Sequence, residues 1–401
     1  MKRETAVLES AAPRVVHLAG RVSDEVFSFL GPATAALARS GSDQTVVLID
    51  DLRYRHLLPK FDPRIDLVLT STAGQGVFRQ WRHSQQAFVQ TLRAGPVSAV
   101  HLHGLRASVF GAPIVSFEGI DVPLFYSLRG WRVFGAAGLV ASTLHRIFRR
   151  KPGLARARAI AANASQADLR ASITGEAVAV LETPVGRDFF TVERNEARYP
   201  LLVAGSPFPD PRSIELFARI AVLLGGTPLR IGFNWIGAVD AGSRTRLQAA
   251  NVGVFDSVSD ADRAGRLGSG WLFVAPGSTR RMPVFLVEAL ATGMPVVAID
   301  APHHRELLQD GETGFLCTNE EDLLDCIARL IDSPELRQRM GLQAREQATT
   351  RFSEEHFRDS LLKAYALGGP LDAAMPAVNA LGALGQPAPQ ALLQREGSTL
   401  E

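Results

Sequence analysis

Short runs of consecutive apolar residues alternate with longer segments of helical periodicity along most of the chain. Residues 15–20 (VVHLAG) form an apolar run that ends in glycine. Residues 27–41 have helical periodicity with Gly41 as the stop, and residues 44–51 (QTVVLIDD) are apolar up to two acids. Runs rich in Val, Ile and Leu indicate strands that are buried on both faces of a parallel sheet. The pattern therefore predicts a strand–helix–strand unit.

The same alternation restarts in the second half of the chain. A strand predicted at 199–206 leads into a helix at 210–226, with Asp210 as its N-cap and Pro211 as its first residue. The pattern predicts further strands in the first half at 97–104, 122–130 and 157–165, and three closing helices at about 320–332, 334–349 and 354–367. Two α/β units follow from this repetition.

The length of 401 residues also favours two domains over one. A break in the pattern near 186–199 divides the chain into a Rossmann-like N-terminal domain at 1–190 and a second one at 191–367. Residues 368–401 are rich in Ala, Pro, Gly and Gln, which predicts a disordered tail. Ligands of open α/β sheets bind outside the carboxyl ends of the strands, so we expect the site in the cleft between the two sheets.

Composition and charge exclude several classes of protein. Hydrophobic residues make up 46% and charged residues 21%, as is typical of a soluble globular protein, and we see no apolar run of the roughly 18 residues that span a bilayer. The N-terminus lacks the apolar core of a secretory signal, which predicts a cytoplasmic protein. A net charge of +2 gives no indication of nucleic-acid binding. Cys317 and Cys326 exclude a disulfide framework and favour small core residues.

A dense motif lies at 273–353. It includes APGSTRRMPVFLVEALATGMPVVA at 275–298 and RELLQDGETGF at 305–315. In residue type and spacing this segment resembles the donor-binding half of the group 1 retaining glycosyltransferases, glycosyltransferase family 4. The first half resembles the family more loosely, through SAVHLHG at 98–104 and PLFYSLRG at 123–130. The resemblance implies the GT-B fold, an α/β architecture of two Rossmann-like domains that face a central cleft, with C-terminal helices packing back toward the N-terminal domain.

Glu288 is a lone carboxylate in the apolar segment from Pro283 to Leu290. The resemblance implies that it is the second Glu of a Glu-x7-Glu pair, which accepts hydrogen bonds from the ribose hydroxyls of the donor nucleotide. A buried carboxylate needs partners, and a ribose diol offers two donors. The alternative is a structural ion pair with a nearby arginine. We expect the ribose contact.

Three arginines stand where the family has other residues. Counting back from Glu288 places Arg280 at the first Glu of the pair, which contacts the transferred sugar in the family, and Arg281 at the Gly that follows. Arg129 stands where the family commonly has a His that approaches the donor sugar. We predict Arg129 and Arg280 as catalytic residues. For Arg281 the alternative is a solvated loop charge.

The loop after the first strand of the second half, VAGSPFPDPRS at 203–213, departs from the family in the same way. The family holds the donor diphosphate there with an Arg and a Lys, whereas this loop has Ser206 in place of the Arg and no Lys. Three interpretations stay open. The arginines elsewhere take over diphosphate binding, or Arg280 recognises an anionic group on an acidic sugar, or the chain has lost catalysis.

The resemblance implies a donor site and an acceptor side. His303 and His304 precede Glu306 in a segment that lines the donor pocket in the family. The predicted donor-binding residues are Gly205, Ser206, Arg281, Met282, Pro283, Val284, Glu288 and Glu306, and those on the acceptor side are Gly20 and His103. His101 and His103 share one face of a strand, but two imidazoles alone do not make a metal site. Without an Asp-x-Asp motif, we expect no required metal and no cofactor beyond the nucleotide-sugar substrate.

The expected function is retaining transfer of a sugar from a nucleoside diphosphate sugar to a glycan or glycolipid acceptor, in bacterial surface polysaccharide assembly. Residues 144–158 are basic with interleaved apolar residues, which suggests contact with an anionic membrane surface or, equally, a solvated basic face. We therefore expect a cytoplasmic protein, peripheral at the inner face of the membrane. The alternative is a catalytically degenerate GT-B protein that serves as a sugar-binding or partner subunit. A GT-B epimerase is a more distant third.

Overall fold

The computed structural model describes residues 12–21, 23–70, 76–127, 157–163, 167, 178–207, 209–256, 259–277 and 282–365. Its strands form two sheets, and every pairing within them is parallel. The first sheet contains β1 (Arg14–Arg21), β2 (Asp43–Ile49), β3 (Asp66–Thr70), β4 (Ala99–His103), β5 (Leu124–Ser127), β6 (Ala157–Ala161) and β7 (Ala179–Val180). The second contains β8 (Leu201–Gly205), β9 (Gly232–Ile236), β10 (Gly253–Phe255), β11 (Leu272–Ala275), β12 (Val296–Ile299) and β13 (Gly314–Cys317).

Numbered within each sheet, both sheets share the strand order 3-2-1-4-5-6, and the first sheet has β7 in addition. The first runs β3-β2-β1-β4-β5-β6-β7 and the second runs β10-β9-β8-β11-β12-β13. In each sheet, the second and third strands in chain order lie on one side of the first strand, and the later strands lie on its other side. The order therefore reverses between β1 and β4, and again between β8 and β11. Such a reversal leaves a crevice outside the carboxyl ends of the two central strands, where ligands of this fold class bind.

Helices separate most of the strands. They are α1 (Asp24–Arg39), α2 (Val77–Arg93), α3 (Leu105–Phe117), α4 (Arg187–Thr191), α5 (Pro211–Gly225), α6 (Ala241–Ala249), α7 (Asp260–Ser269), α8 (Val284–Ala291), α9 (Pro302–Leu307), α10 (Glu320–Asp332), α11 (Pro334–Phe352) and α12 (Glu354–Tyr365), with a 3-10 helix at Leu52–Lys60. The α/β fold of two Rossmann-like units that the sequence predicted is confirmed.

Local capping explains where the closing helices begin. Ser333 accepts a hydrogen bond from the Leu336 amide at 3.3 Å at the start of α11, and Pro334 occupies its first turn. Capping of this kind satisfies amides that have no partner inside the helix. The predicted starts at 320, 334 and 354 agree with the structure. The second helix ends at Phe352, three residues later than predicted, and the predicted end of the third helix at 367 lies outside the described residues.

The last helix packs against the first sheet. Phe357 of α12 meets Phe29 of α1 edge to face, with ring centroids 5.7 Å apart, and Tyr365 stacks on Phe125 of β5 at 4.6 Å. A buried cluster continues from these rings to the sheet, with Val15, Ala99, Ile160, Leu361 and Ala364 among its members. The predicted return of the C-terminal helices to the N-terminal domain is confirmed.

Part of the segment that joins the two sheets packs into the hydrophobic core of the second sheet. Val185 and Phe189 are buried in the cluster around β11 and α8, although they precede the predicted boundary at 190. The predicted tail at 368–401 and all of the basic segment 144–158 except its last two residues lie outside the described residues. Among the described helices, none is both long and apolar enough to cross a membrane.

We predict that Phe357→Ala destabilises the protein by about 3–5 kcal/mol, because truncating a buried aromatic side chain leaves a cavity. Leu342→Ala on α11 is the control, since its side chain is 72% exposed and its loss should change stability by less than about 0.5 kcal/mol. Denaturant unfolding of both variants measures the difference. Equal effects would contradict the packing of α12 described here.

Candidate functional site

A groove lies at the reversal point of the second sheet. Its wall is formed by the carboxyl ends of β8 and β11, the first turns of α5 and α8, and part of α9. The residues that line it are Gly205, Ser206, Pro207, Asp210, Ser213, Trp235, Phe273, Ala275, Pro276, Gly277, Pro283, Val284, Phe285, Leu286 and His304. Strand order and lining residues therefore indicate the same location for a ligand.

The amino-terminal turn of α5 faces this groove. Asp210 is its N-cap but makes no side-chain capping bond, and Pro211 occupies the first turn. Ser213 is 6% exposed, and its hydroxyl has no hydrogen-bond partner among the described residues. The first amides of a helix have no intrahelical partner and lie at the positive end of its dipole. This turn can therefore accept an anionic group such as a phosphate.

Two glycines allow the backbone to approach closely here. A Cβ atom on Gly277 would collide with the Ser213 hydroxyl, and one on Gly205 would collide with the carbonyl oxygen of Ile236. The loop after β11 therefore contacts the first turn of α5 directly. Both glycines are needed for packing, which accounts for them without any contact to a ligand.

His304 supplies an imidazole to the groove from α9. Its side chain is 1% exposed, and its Nδ1 donates a hydrogen bond to the carbonyl of Ile299 at 2.6 Å. Burial lowers the pKa of His304. The ring is therefore neutral near pH 7, with Nδ1 protonated and Nε2 able to accept a hydrogen bond. The donor-binding set predicted from the sequence did not include His304, although the segment around it was noted.

The described part of the groove has little positive charge. Its lining residues include the acid Asp210 and no Lys or Arg. Arg129, Arg280 and Arg281 lie outside the described residues, so their roles stay predictions. Within the described part, the structure thus offers helix amides and a hydroxyl to an anion.

Comparisons with known proteins agree with this geometry. Residues 243–347 match the model of the family described as glycosyl transferases group 1. The match lies in the second half of the chain and covers less than half of its length. A glycosyltransferase of Haemophilus influenzae, itself uncharacterised, is 34% identical over 80 residues, which are 19% of this chain and 23% of that protein. The chain thus matches about a quarter of the length of this curated relative.

Solved structures extend the likeness to nearly the whole chain. A glycosyltransferase of Rickettsia africae has a TM-score of 0.69 at 12% identity, over 89% of this chain and 98% of that one. Anabaena HepE, solved in complex with UDP and glucose, has a TM-score of 0.65 at 16% identity, over 88% of this chain and 100% of that one. At such identities the likeness concerns the fold, and the predicted GT-B fold is confirmed.

Four of the predicted donor-site residues line the groove, namely Gly205, Ser206, Pro283 and Val284. Two others do not line it. Met282 packs against the core of the second sheet. Glu306 is half-buried on α9, and its backbone carbonyl accepts a hydrogen bond from Arg351 at 2.9 Å.

Glu288 is not among the residues that line the groove and is paired with an arginine of α7. Both of its carboxylate oxygens accept hydrogen bonds from Arg263 of α7, at 2.6 and 2.8 Å. Arg263 also binds Asp260 at 2.8 Å and lies over the rings of Phe189 and Phe285. The structure therefore shows the ion pair that was the alternative in the sequence analysis. The ribose contact stays a prediction.

Arg263 could have been found from the sequence only with the register of α7 against α8.

Burial raises the pKa of Glu288 to about 7, while the hydrogen bonds and charge of Arg263 oppose that rise. The carboxyl of Glu288 is 4% exposed, so its charge depends on this one guanidinium for most of its stabilisation.

The predicted acceptor-side residues lie at the reversal point of the first sheet. Gly20 has a φ of +60° and touches Trp81, whose ring would collide with a Cβ atom at this position. His103 is 3% exposed and lies 3.0 Å from His17, from its Nε2 to Nδ1 of His17. Its side chain therefore offers an acceptor almost no accessible surface. His17 was absent from the prediction, although it occupies the strand of the first apolar run.

We predict that Arg263→Met makes stability fall over a wider pH range, and so by a larger total amount, as pH rises. A carboxyl whose pKa is raised on folding binds more protons in the folded state, so its stabilisation is complete below pH 4.5 and is lost as pH rises through the folded pKa of about 7. Removing Arg263 raises the folded-state pKa of Glu288 further. Between the unfolded and the folded pKa, stability falls by at most about 1.4 kcal/mol per pH unit.

Denaturant unfolding at pH 5 and pH 8.5 provides the measurement. The double variant Arg263→Met with Glu288→Gln is the control, because a neutral amide should remove the additional pH dependence. An identical pH dependence in wild type and Arg263→Met would show that the guanidinium does not control the charge of Glu288.

Proposed function

We propose that the chain transfers a sugar from a nucleoside diphosphate sugar to an acceptor, and that the groove at β8 and β11 binds the donor. The observation that carries this proposal is the unsatisfied amino-terminal turn of α5 at the reversal point of the sheet. The match to the group 1 glycosyl transferases at residues 243–347 includes β11, α8 and α9 of this groove, although α5 precedes it. HepE, which shares the fold, was solved with UDP and glucose.

The diphosphate would lie against the first turn of α5. The amides of that turn and the Ser213 hydroxyl are neutral donors fixed in position, and such preorganised donors stabilise the charge that develops on a leaving diphosphate. Arg280 and Arg281 belong to the segment that joins Gly277 to Met282. We assign to them the positive charge that the described lining residues lack.

The finer parts of the proposal come from the family resemblance. They are retention of configuration, a glycan or glycolipid acceptor and a role in bacterial surface polysaccharide assembly at the inner face of the membrane. A second candidate is a degenerate GT-B protein that binds a sugar nucleotide or a partner without turnover. The Arg263–Glu288 pair favours this second candidate, because it occupies the carboxylate that the ribose would use.

Calorimetric titration of UDP-, GDP- and ADP-sugars into the wild type, followed by an assay for released nucleoside diphosphate, tests the proposal. We expect Ser213→Ala to bind the preferred donor about ten- to a hundredfold more weakly, because a hydrogen bond to a charged group contributes about 1.5–3 kcal/mol. Ser243→Ala is the matched control, since Ser243 is 9% exposed in the first turn of α6 and its hydroxyl bonds Asp240 at 2.6 Å.

Three outcomes are distinguishable. Binding with release of the diphosphate in the presence of an acceptor extract supports the transferase. Binding without turnover supports the degenerate alternative. If no sugar nucleotide binds the wild type at millimolar concentration, the transferase is wrong, and only a degenerate protein that binds a partner agrees with the result.

A further inference from the structure

Three buried histidines meet on one face of the first sheet, where its strand order reverses. His17 lies on β1, and His101 and His103 lie on β4, the adjacent strand. His17 pairs in register with His101, and residues two apart on a strand share a face. One ring nitrogen from each histidine lies within 4.8 Å of the others. Their exposed fractions are 0%, 0% and 3%.

Neighbouring side chains orient two of these rings. Nδ1 of His101 shares a hydrogen bond with the Tyr365 hydroxyl of α12, and Nδ1 of His103 lies 3.4 Å from the hydroxyl of Ser127 at the end of β5. Histidines that bind metals almost always hold their other ring nitrogen in a hydrogen bond of this kind, which fixes the tautomer. In both rings, Nε2 is then the nitrogen that would bind a metal ion.

The third ring leaves a polar atom unsatisfied. Nδ1 of His17 lies 3.0 Å from Nε2 of His103, a separation that one shared proton can bridge. Gln44 approaches His17, yet neither Nε2 of His17 nor Oε1 of Gln44 has a hydrogen bond of good geometry among the described residues. A buried polar atom without a partner costs free energy and calls for an explanation.

We propose that His17, His101 and His103 bind a divalent transition metal ion, with Zn²⁺ as the physiological candidate. Two nitrogens on a tetrahedral zinc ion at about 2.0–2.1 Å are about 3.3 Å apart. The distance of 3.0 Å between His17 and His103 needs a change of a few tenths of an ångström to match it. Neutral imidazoles suit zinc, copper, nickel and cobalt, whereas magnesium and calcium prefer oxygen ligands.

Metal binding would also give the unsatisfied polar atoms of His17 and Gln44 a hydrogen bond to each other. With the ion on Nδ1 of His17, Nε2 carries a proton and can donate to Oε1 of Gln44. The rings of His101 and His103 keep their bonds to Tyr365 and Ser127. The ion would then link β1 and β4 to β5 and to the docked helix α12. This inference is independent of the donor groove and departs from the expectation, drawn from the lack of an Asp-x-Asp motif, that no metal is required.

Metal content and cobalt spectroscopy test the proposal. Because the site is buried, the full chain is produced in medium supplemented with Zn²⁺ or Co²⁺, so that the metal is present during folding, and is then dialysed against chelator. We expect about one equivalent of metal per chain and the visible absorption of Co²⁺ in a nitrogen-rich site of low coordination number. His17→Gln should lose both, whereas His356→Gln, which removes an exposed histidine of α12, should keep both.

Tyr365→Phe separates a metal site from a merely packed cluster. It keeps the ring but removes the hydroxyl that orients His101, and loss of such a partner typically weakens metal binding by 10- to 100-fold. Circular dichroism confirms that each variant is folded. If His17→Gln does not fold, X-ray absorption of the wild-type metal protein decides, because it reports imidazole ligands directly. Folded wild type without bound metal, equal binding by His17→Gln, or a metal without imidazole ligands would overturn the proposal.

Discussion

The reversal of strand order beside the first strand of each sheet is the constraint on which the rest of the structure depends. Parallel strands place all their carboxyl ends at one edge, and the helices that follow begin there with amides that lack partners. Where neighbouring strands lead to helices on opposite sides, the edge opens into a crevice. The two sheets make this arrangement twice, between β1 and β4 and between β8 and β11.

The two crevices are filled differently. The second is bounded by glycines and by the first turn of α5, so backbone amides and the Ser213 hydroxyl face an open groove. The first is filled with imidazoles under the aromatic rings of α1 and α12. Arg263 of α7 binds both carboxylate oxygens of Glu288 on α8, which offsets part of the cost of burying that charge. Both crevices are thus built around polar atoms that the protein satisfies only in part.

The sequence predicted what depends on local patterns and on motif spacing. Apolar runs indicated strands in both sheets, Ser333 and Pro334 gave the start of α11, and the motif around Glu288 indicated the resemblance to the group 1 family, whose model matches residues 243–347. The Arg263–Glu288 pair could not be predicted from the sequence, because the two residues lie 25 positions apart on two helices and no local pattern sets the relative register of those helices. His17 was overlooked for the same reason, although pairing the first and fourth strands would have placed it beside His101. The helices α2 and α3 were not assigned, and α3 contains Pro113, which usually marks a helix end.

The central claim is that the reversal point of the second sheet binds the diphosphate of a sugar nucleotide. A crystal structure of the chain with UDP, or with the sugar nucleotide that binds most tightly, tests it most directly. The account predicts phosphate oxygens within hydrogen-bond distance of the Ser213 hydroxyl and of the amides in the first turn of α5. A nucleotide bound elsewhere, with this turn facing solvent, would contradict it.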